Sequence, residues 1–361
     1  KNRKRFRFFL IEKKLYFGTM KSKEPTLKYI AEELKISTTT VSKALKGYKD
    51  VNAKTREKVI ELAKSLNYTP NSFAVNFRTN ESKIIGLIIP EVVHYFFSSV
   101  INGIIAEAEK QDYLVIILQS NESKEMEKKQ VELLMSKRVD GIIISLSNES
   151  NNDEHLETIL QKDIPFVLID KISKLINCSK VVIDDRKAGF DAVNHLISVG
   201  CKKIAHIRGP ENPQNAIDRF MGYKTALEKN NITFDKSLVY TCQNVTFKEG
   251  YDFAKKIVED HPDVDGIFAI TDLVAFGILT YLNEKNIKIP EQIAVIGFSN
   301  WFMSEVISPK LSTIEQPGFK MGAESFLLLK EEIESMKKEN KRLSKIVTLD
   351  TKLIIRESTQ K

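Results

Sequence analysis

The sequence predicts an N-terminal all-α helix-turn-helix domain, a hinge helix, and a large α/β body built as two similar lobes. Residues 26–66 show the helical period in three short segments, each opened by a Ser, Thr or Asn cap. From residue 84 onward, short β-branched runs alternate with amphipathic stretches in two successive series. Charge divides unevenly as well. Residues 1–82 hold 19 Lys and Arg against 8 Asp and Glu, a net of +11; the remaining 36 and 40, out of 55 and 48, leave −4. At 361 residues the chain exceeds one small core, since domains average roughly 150 residues. Its 42% hydrophobic and 29% charged content is that of a globular protein.

Thr26 is placed to cap a helix whose inward face is Leu27, Ile30, Ala31 and Leu34. The turn Lys35-Ile36 leads to Ser37, a second cap ahead of TTTVSKAL, and Gly47 stops that helix. Asn52 caps a third helix carrying Val59, Leu62, Ala63 and Leu66 on one side. Three short helices with a tight turn between the first two form a helix-turn-helix. Val41 and Leu45 face its core, so Thr38, Thr39, Ser42 and Lys43 project outward. Short hydroxyls followed by a cation fit the major groove, where they reach base edges without a clash. Such residues are also common in the first turn of any helix. Their place in a segment of net charge +11, which is drawn to polyphosphate by counterion release, favours double-stranded DNA as partner. Patterned sequence begins just after Met20, so residues 1–19 are read as an extension outside the fold. Their apolar run, Phe8-Phe9-Leu10-Ile11, is too short for a secretory leader.

The run TLKYIAEELKISTTTVSKALKG, followed by VNAKTREKVIELAKSLNYTPNSFAVNFR, resembles the lactose/galactose repressor (LacI/GalR) family of bacterial transcription regulators. The matching motifs are I-S-x-x-T-V-S from Ile36, T-R-x-x-V from Thr55 and L-N-Y-x-P-N from Leu66. The resemblance implies that Thr38 and Thr39 read bases, with Ser42 beside them. Lys43 or Lys49 would add base or phosphate contacts, and Tyr68 and Asn71 would complete the DNA-binding set. After Pro70, NSFAVNFRTN has modest helix propensity and no core of its own, and isolated helices below about 12 residues are marginal in water. By the same resemblance it folds on operator DNA, where two such helices, one per subunit, wedge an apolar side chain into the minor groove. The wedge is typically leucine; here the position holds Phe77, with Arg78 along the groove. That substitution leaves the wedge role in place and puts the preferred central base step in question.

The body opens with IIGLII (84–89), LVIIL (114–118), GIIIS (141–145) and FVLI (166–169). KIAHI (203–207), GIFAI (266–270) and IAVIGF (293–298) form a second series. Continuous apolar strands separated by helices indicate parallel sheets covered on both faces, and two series indicate two lobes. Ligands of such sheets bind outside the carboxyl ends of the strands. Phe96, Phe97, Asn121, Ser145 and Ser147 stand there in the first lobe. Asn215, Arg219, Thr271-Asp272 and Ser299-Asn300-Trp301 stand there in the second. Charged groups, amides, hydroxyls and flat aromatics suit a polar ring compound such as a sugar. Blander roles compete: Asp272 as a helix cap, Arg219 as a surface ion-pair partner, Phe96 and Phe97 as core.

Further runs, among them MSKRVDGIII, HLISVGCKKIAHIRGP, DRFMGY, TDLVAFGIL and SPKLSTIEQP, extend the resemblance over nearly all of residues 26–357. They imply a periplasmic-binding-protein-like body in which Arg219 and Asp272 carry the main effector-binding charges, with Phe96, Phe97, Asn121, Ser145, Asn215, Asn300 and Trp301 around them. Two positions depart from the family. Val245 stands where an aromatic usually stacks on the ligand, although Phe247 is close by. Pro213 stands where one subgroup has a purine-contacting Arg, which argues against a purine effector. The expected division is an extension (1–19), a DNA-binding domain (20–70), a hinge (71–82) and the effector domain (83–357). Its first lobe is expected near 83–184 and 316–344, its second near 185–315 and 345–357.

Other function classes fit poorly. The chain has no P-loop, no G-x-G-x-x-G after a strand and no G-x-S-x-G, and its five histidines are scattered, so neither an enzyme nor a bound cofactor or metal is expected. Cys178, Cys201 and Cys242 are far apart and read as free thiols of a cytoplasmic protein. No apolar run approaches the roughly 18 residues of a membrane span. An exported sugar receptor shares the two-lobed body, but a helix-turn-helix stands where its leader would be. Because no heptads trail the last strand, TLDTKLII, a homodimer on a pseudo-palindromic operator is expected rather than a tetramer.

Overall fold

The computed structural model describes residues 26–68, 81–93, 95–149 and 154–360. Contacts divide the chain into two compact units at Asn80/Glu81. The extension 1–19, Met20, and the hinge positions Asn71, Phe77 and Arg78 lie outside the described residues.

In the first unit α1 (Leu27–Leu34), α2 (Thr38–Leu45) and α3 (Ala53–Ser65) begin at the expected caps. Tyr29 N donates to Thr26 Oγ1 at 3.2 Å, Thr40 N to Ser37 Oγ at 3.1 Å, and Lys54 N to Asn52 Oδ1 at 2.9 Å. Each bond satisfies an amide that the helix leaves unpaired. Gly47 follows α2 at φ +75°, a conformation that side chains resist. Ile30, Val41 and Val59 are wholly buried, and Ala31, Ala44, Val51 and Ala63 fill the space between them. Arg56, the arginine of the T-R-x-x-V motif, donates through Nη2 to the Tyr48 carbonyl at 2.6 Å and the Val51 carbonyl at 3.2 Å. It thereby clamps the loop between α2 and α3.

The second unit holds two six-stranded sheets. The first lobe contains β1 (Ile84–Ile89), α4 (Tyr95–Glu109), β2 (Leu114–Gln119), α5 (Lys124–Ser136), β3 (Gly141–Ile144), α6 (Glu154–Gln161), β4 (Phe166–Ile169) and β5 (Ser179–Ile183). The chain then crosses to α7 (Asp185–Ser198), β6 (Ile204–Arg208), α8 (Gln214–Lys229), β7 (Val239–Thr241), α9 (Phe247–Asp260), β8 (Gly266–Ala269), α10 (Asp272–Glu284), β9 (Ala294–Ser299) and β10 (Ser312–Glu315). It returns as α11 (Gly318–Glu339) and β11 (Ile346–Leu349), and crosses once more to β12 (Lys352–Ile354). Strand orders are β11-β5-β4-β3-β1-β2 and β12-β10-β9-β8-β6-β7, so the lobes repeat one doubly wound topology. All pairings are parallel except β12 on β10.

The C-terminal boundary differs from expectation. TLDTKLII is two strands rather than one, and β11 completes the first sheet, so the final crossing falls at Asp350-Thr351 instead of near residue 345. Both pieces are half-exposed edge strands, and an apolar pattern cannot reveal that a run changes sheets midway.

Three helix pairs pack through facing glycines. A Cβ on Gly103 would stand 2.0 Å from the Phe319 carbonyl oxygen, and one on Gly322 would stand 2.0 Å from that of Val100, which brings α4 against α11. Gly189 and Gly222 do the same for α7 and α8, and Gly250 and Gly277 for α9 and α10. These contacts hold the helices flush beside the sheets whose strand ends form the cleft.

Candidate functional site

On α2, Thr38 and Thr39 are exposed, while Val41 and Ala44 turn into the core. Ser42 and Lys43 are half-buried, and Lys49 is exposed in the following loop. Lys43 is paired with Asp50, which raises the pKa of the ammonium. Tyr68 packs half-buried against the three-helix core.

In the second unit a cavity of about 410 Å³ opens at the carboxyl ends of the strands of both sheets. Phe96 and Phe97, at the start of α4, form one side, their rings edge-to-face at 5.2 Å. Glu91, Glu122, Asn148, Asp170 and Lys171 extend this wall from the loops after β1, β2, β3 and β4. The opposite wall holds Asn215, Arg219, Val245, Asp272 and Trp301. Of the two departures noted above, Val245 and Pro213 both line the cavity, whereas Phe247 is not in its wall and is exposed.

Arg219 is 4% exposed and firmly held. Its Nε donates to Asp185 Oδ1 at 2.8 Å, Nη1 donates to the Ile270 carbonyl at 3.1 Å, and the guanidinium lies 3.6 Å over the Phe298 ring. It is a buried residue rather than a surface ion-pair partner. Asp185 is pushed up to about 7, because burial outweighs the attraction of Arg219. Asp272 does not cap α10; Thr271 does, accepting from Val274 N at 3.4 Å. The Asp272 carboxylate instead accepts from Trp301 N at 2.7 Å, Ser304 Oγ at 2.8 Å and Thr313 Oγ1 at 2.6 Å. Burial raises its pKa, and it ties the Trp301 loop and β10 to the start of α10.

Four expected cleft residues stand outside the wall. Ser145 and Ser147, at and just past the end of β3, are buried. Asn121 takes a left-handed backbone, is exposed, and accepts from the Gln119 amide. Asn300 turns outward and accepts from Arg356 Nη2 at 2.9 Å. Proximity to a strand end does not say on which side of the loop a side chain emerges. The residues missed are Asp170, Lys171, Glu122 and Asn148. Lys171 Nζ donates to Glu122 Oε1 at 2.5 Å and to Asn148 Oδ1 at 2.7 Å. Asp170 ends the FVLID run, so the strand-end rule that found the others applied to it as well.

Asp170 also accepts from the Asn215 amide at 3.3 Å, and Lys174 pairs with Asp218 at 3.2 Å. Both contacts join the two lobes across the cleft. Among the described residues no helix is long and apolar enough to cross a membrane.

Residues 26–71 match the family model described as bacterial regulatory proteins, lacI family. Residues 82–357 match that of periplasmic binding proteins and the sugar-binding domain of the LacI family. The HTH-type transcriptional regulator RegA of Clostridium saccharobutylicum is 32% identical, covering 92% of this chain and 99% of its own. The ribose operon repressor of Halalkalibacterium halodurans is 32% identical over 93% of this chain and 97% of its own. In fold, the chain matches a lac repressor dimer bound to operator and the anti-inducer ONPF, with a TM-score of 0.83 at 23% identity, covering 93% of this chain and 99% of that one. With the reading helix, the two like lobes and both family models in register, the chain belongs to the lacI family of bacterial regulatory proteins and is a DNA-binding regulator of transcription.

Proposed function

We propose that the protein is a cytoplasmic, non-catalytic repressor that binds a pseudo-palindromic operator as a homodimer and yields or gains affinity when a sugar enters the cleft. Thr38, Thr39 and Ser42 read base edges, while Lys49, Tyr68 and Lys43 hold the backbone. Asn71, Phe77 and Arg78 extend this surface into the minor groove. The observation carrying the proposal is that one chain joins an exposed threonine pair on a capped helix to an approximately 410 Å³ cavity between two like lobes. Trp301, Phe96 and Phe97 offer apolar ring faces there, and Arg219, Asp170 and Asn148 offer polar edges, the mixture that a sugar ring presents in reverse. A ligand touching both walls favours one angle between the lobes and biases the spacing of the two DNA readers.

Selection of operator sequences from random duplexes by the purified chain tests the first half. A symmetric site with a central pyrimidine–purine step is expected, lost in Thr38→Ala and in Phe77→Ala. Salt-sensitive binding with no sequence preference, persisting with sugars added, would refute the reader. For the second half, Arg219→Ala is expected to abolish the sugar response of operator binding and Asp272→Ala to weaken it; an intact response in both would remove the cleft as effector site.

A further inference from the structure

The cations of the cleft are already matched from within the protein. Among the described residues its wall carries Lys171 and Arg219 against the four carboxylates of Glu91, Glu122, Asp170 and Asp272. Lys171 is held by Glu122 and Asn148, and the Asn148 backbone N–H in turn donates to the other Glu122 oxygen at 2.7 Å. Arg219 is held by Asp185 and by the Ile270 carbonyl. An anion entering the cavity finds each cation already facing a carboxylate, so it gains less from their charge than it would from unpaired cations. The N-terminus of α10, an anion site by its dipole, has Asp272 in its first turn. Asp170 is 7% exposed and accepts two long bonds from the Asn215 amide, at 3.3 and 3.4 Å. It repels a second negative charge and readily accepts a hydroxyl proton.

We infer that the cleft selects a neutral polyhydroxylated ring and excludes the phosphate ester or carboxylate of the same sugar, with Asp170 and the Glu122–Lys171 pair as the discriminating groups. The inference rests on the reading of this cleft as the effector site. Calorimetric titration of the full chain with matched sets tests it. Glucose, ribose and cellobiose are compared with glucose 6-phosphate, ribose 5-phosphate and glucuronate. The expected result is binding confined to neutral members, with the charged counterpart of any binder weaker by about tenfold or more. A charged member binding as tightly as its neutral partner overturns the inference and leaves the effector site standing. Failure of both sets, with operator binding intact, overturns the sugar reading beneath it. Asp170→Asn is expected to narrow the preference by about tenfold. An unchanged preference in that variant, with an unchanged melting temperature, shows that the exclusion does not come from this wall.

Discussion

His206 shows what the setting of one side chain does to a chemically versatile residue. It is wholly buried in the second lobe, with its ring stacked on Phe268 at 4.6 Å and Tyr223 at 5.1 Å and Nδ1 donating to the Phe268 carbonyl at 2.9 Å. Burial pushes its pKa from 6.5 down to about 3. The unfolded chain takes up a proton below about pH 6.5 and the folded chain does not until about pH 3, so stability falls as pH drops through that window. His206→Phe keeps the stack and removes the proton. Urea unfolding of the variant is expected to lose about 2 kcal/mol of the stability difference between pH 7 and pH 5. A difference equal to that of the parent would place the acid lability elsewhere. At the reading helix the same scale separates two kinds of contact. Thr38→Ala is expected to cost about 1–3 kcal/mol on the selected operator and little on random DNA. Lys49→Ala should weaken both alike and lower the salt slope by about one. Loss of sequence preference in the lysine variant would exchange their roles.

At the scale of the element, close helix packing depends on residues with no chemistry at all. The new Cβ in Gly222→Ala would stand 2.3 Å from the Arg186 carbonyl oxygen, forcing α7 and α8 apart. The expected loss is about 1–3 kcal/mol or more, because a backbone neighbour cannot rotate away as a side chain would. A melting temperature equal to the parent's would show that the pair gives easily. Arg56 is an element-scale device of another kind, since it holds the loop carrying Lys49 and Asp50 through two carbonyls. Its replacement by Met is expected to leave α1–α3 folded, by circular dichroism, while weakening operator binding. Unfolding of the whole unit would make its role one of stability alone.

For the whole molecule, the polar contacts that cross the cleft are weak, beside an apolar cluster that includes residues of both lobes. The Lys174–Asp218 pair is partly exposed and contributes about 0–1 kcal/mol, and the Asn215–Asp170 bond is long. Contacts of this strength can break or form when a ligand touches both walls. Asn215→Ala together with Lys174→Ala is expected to enlarge the radius of gyration of the effector body in small-angle scattering, and bound sugar should reverse it. An unchanged radius without ligand would place the restraint in the three chain crossings instead.

Much was legible along the chain because it is local. The caps Thr26, Ser37 and Asn52, the stop at Gly47 and the apolar strands depend on neighbours within a few residues, so they follow from order alone. The two-lobed plan and the place of Arg219 in the cavity wall came through motifs of the same local kind. What only the tertiary structure decided depends on side chains far apart in sequence. It gave TLDTKLII to two sheets, turned Asn121, Ser145 and Asn300 away from the cleft, and bound Asp272 to Thr313 and Ser304 within its own lobe. It set Asp185 behind Arg219 and Glu122 beside Lys171, pairs separated by 34 and 49 positions. A sequence shows which charges a protein owns; which of them remain available to a ligand is settled by the partners that folding brings alongside.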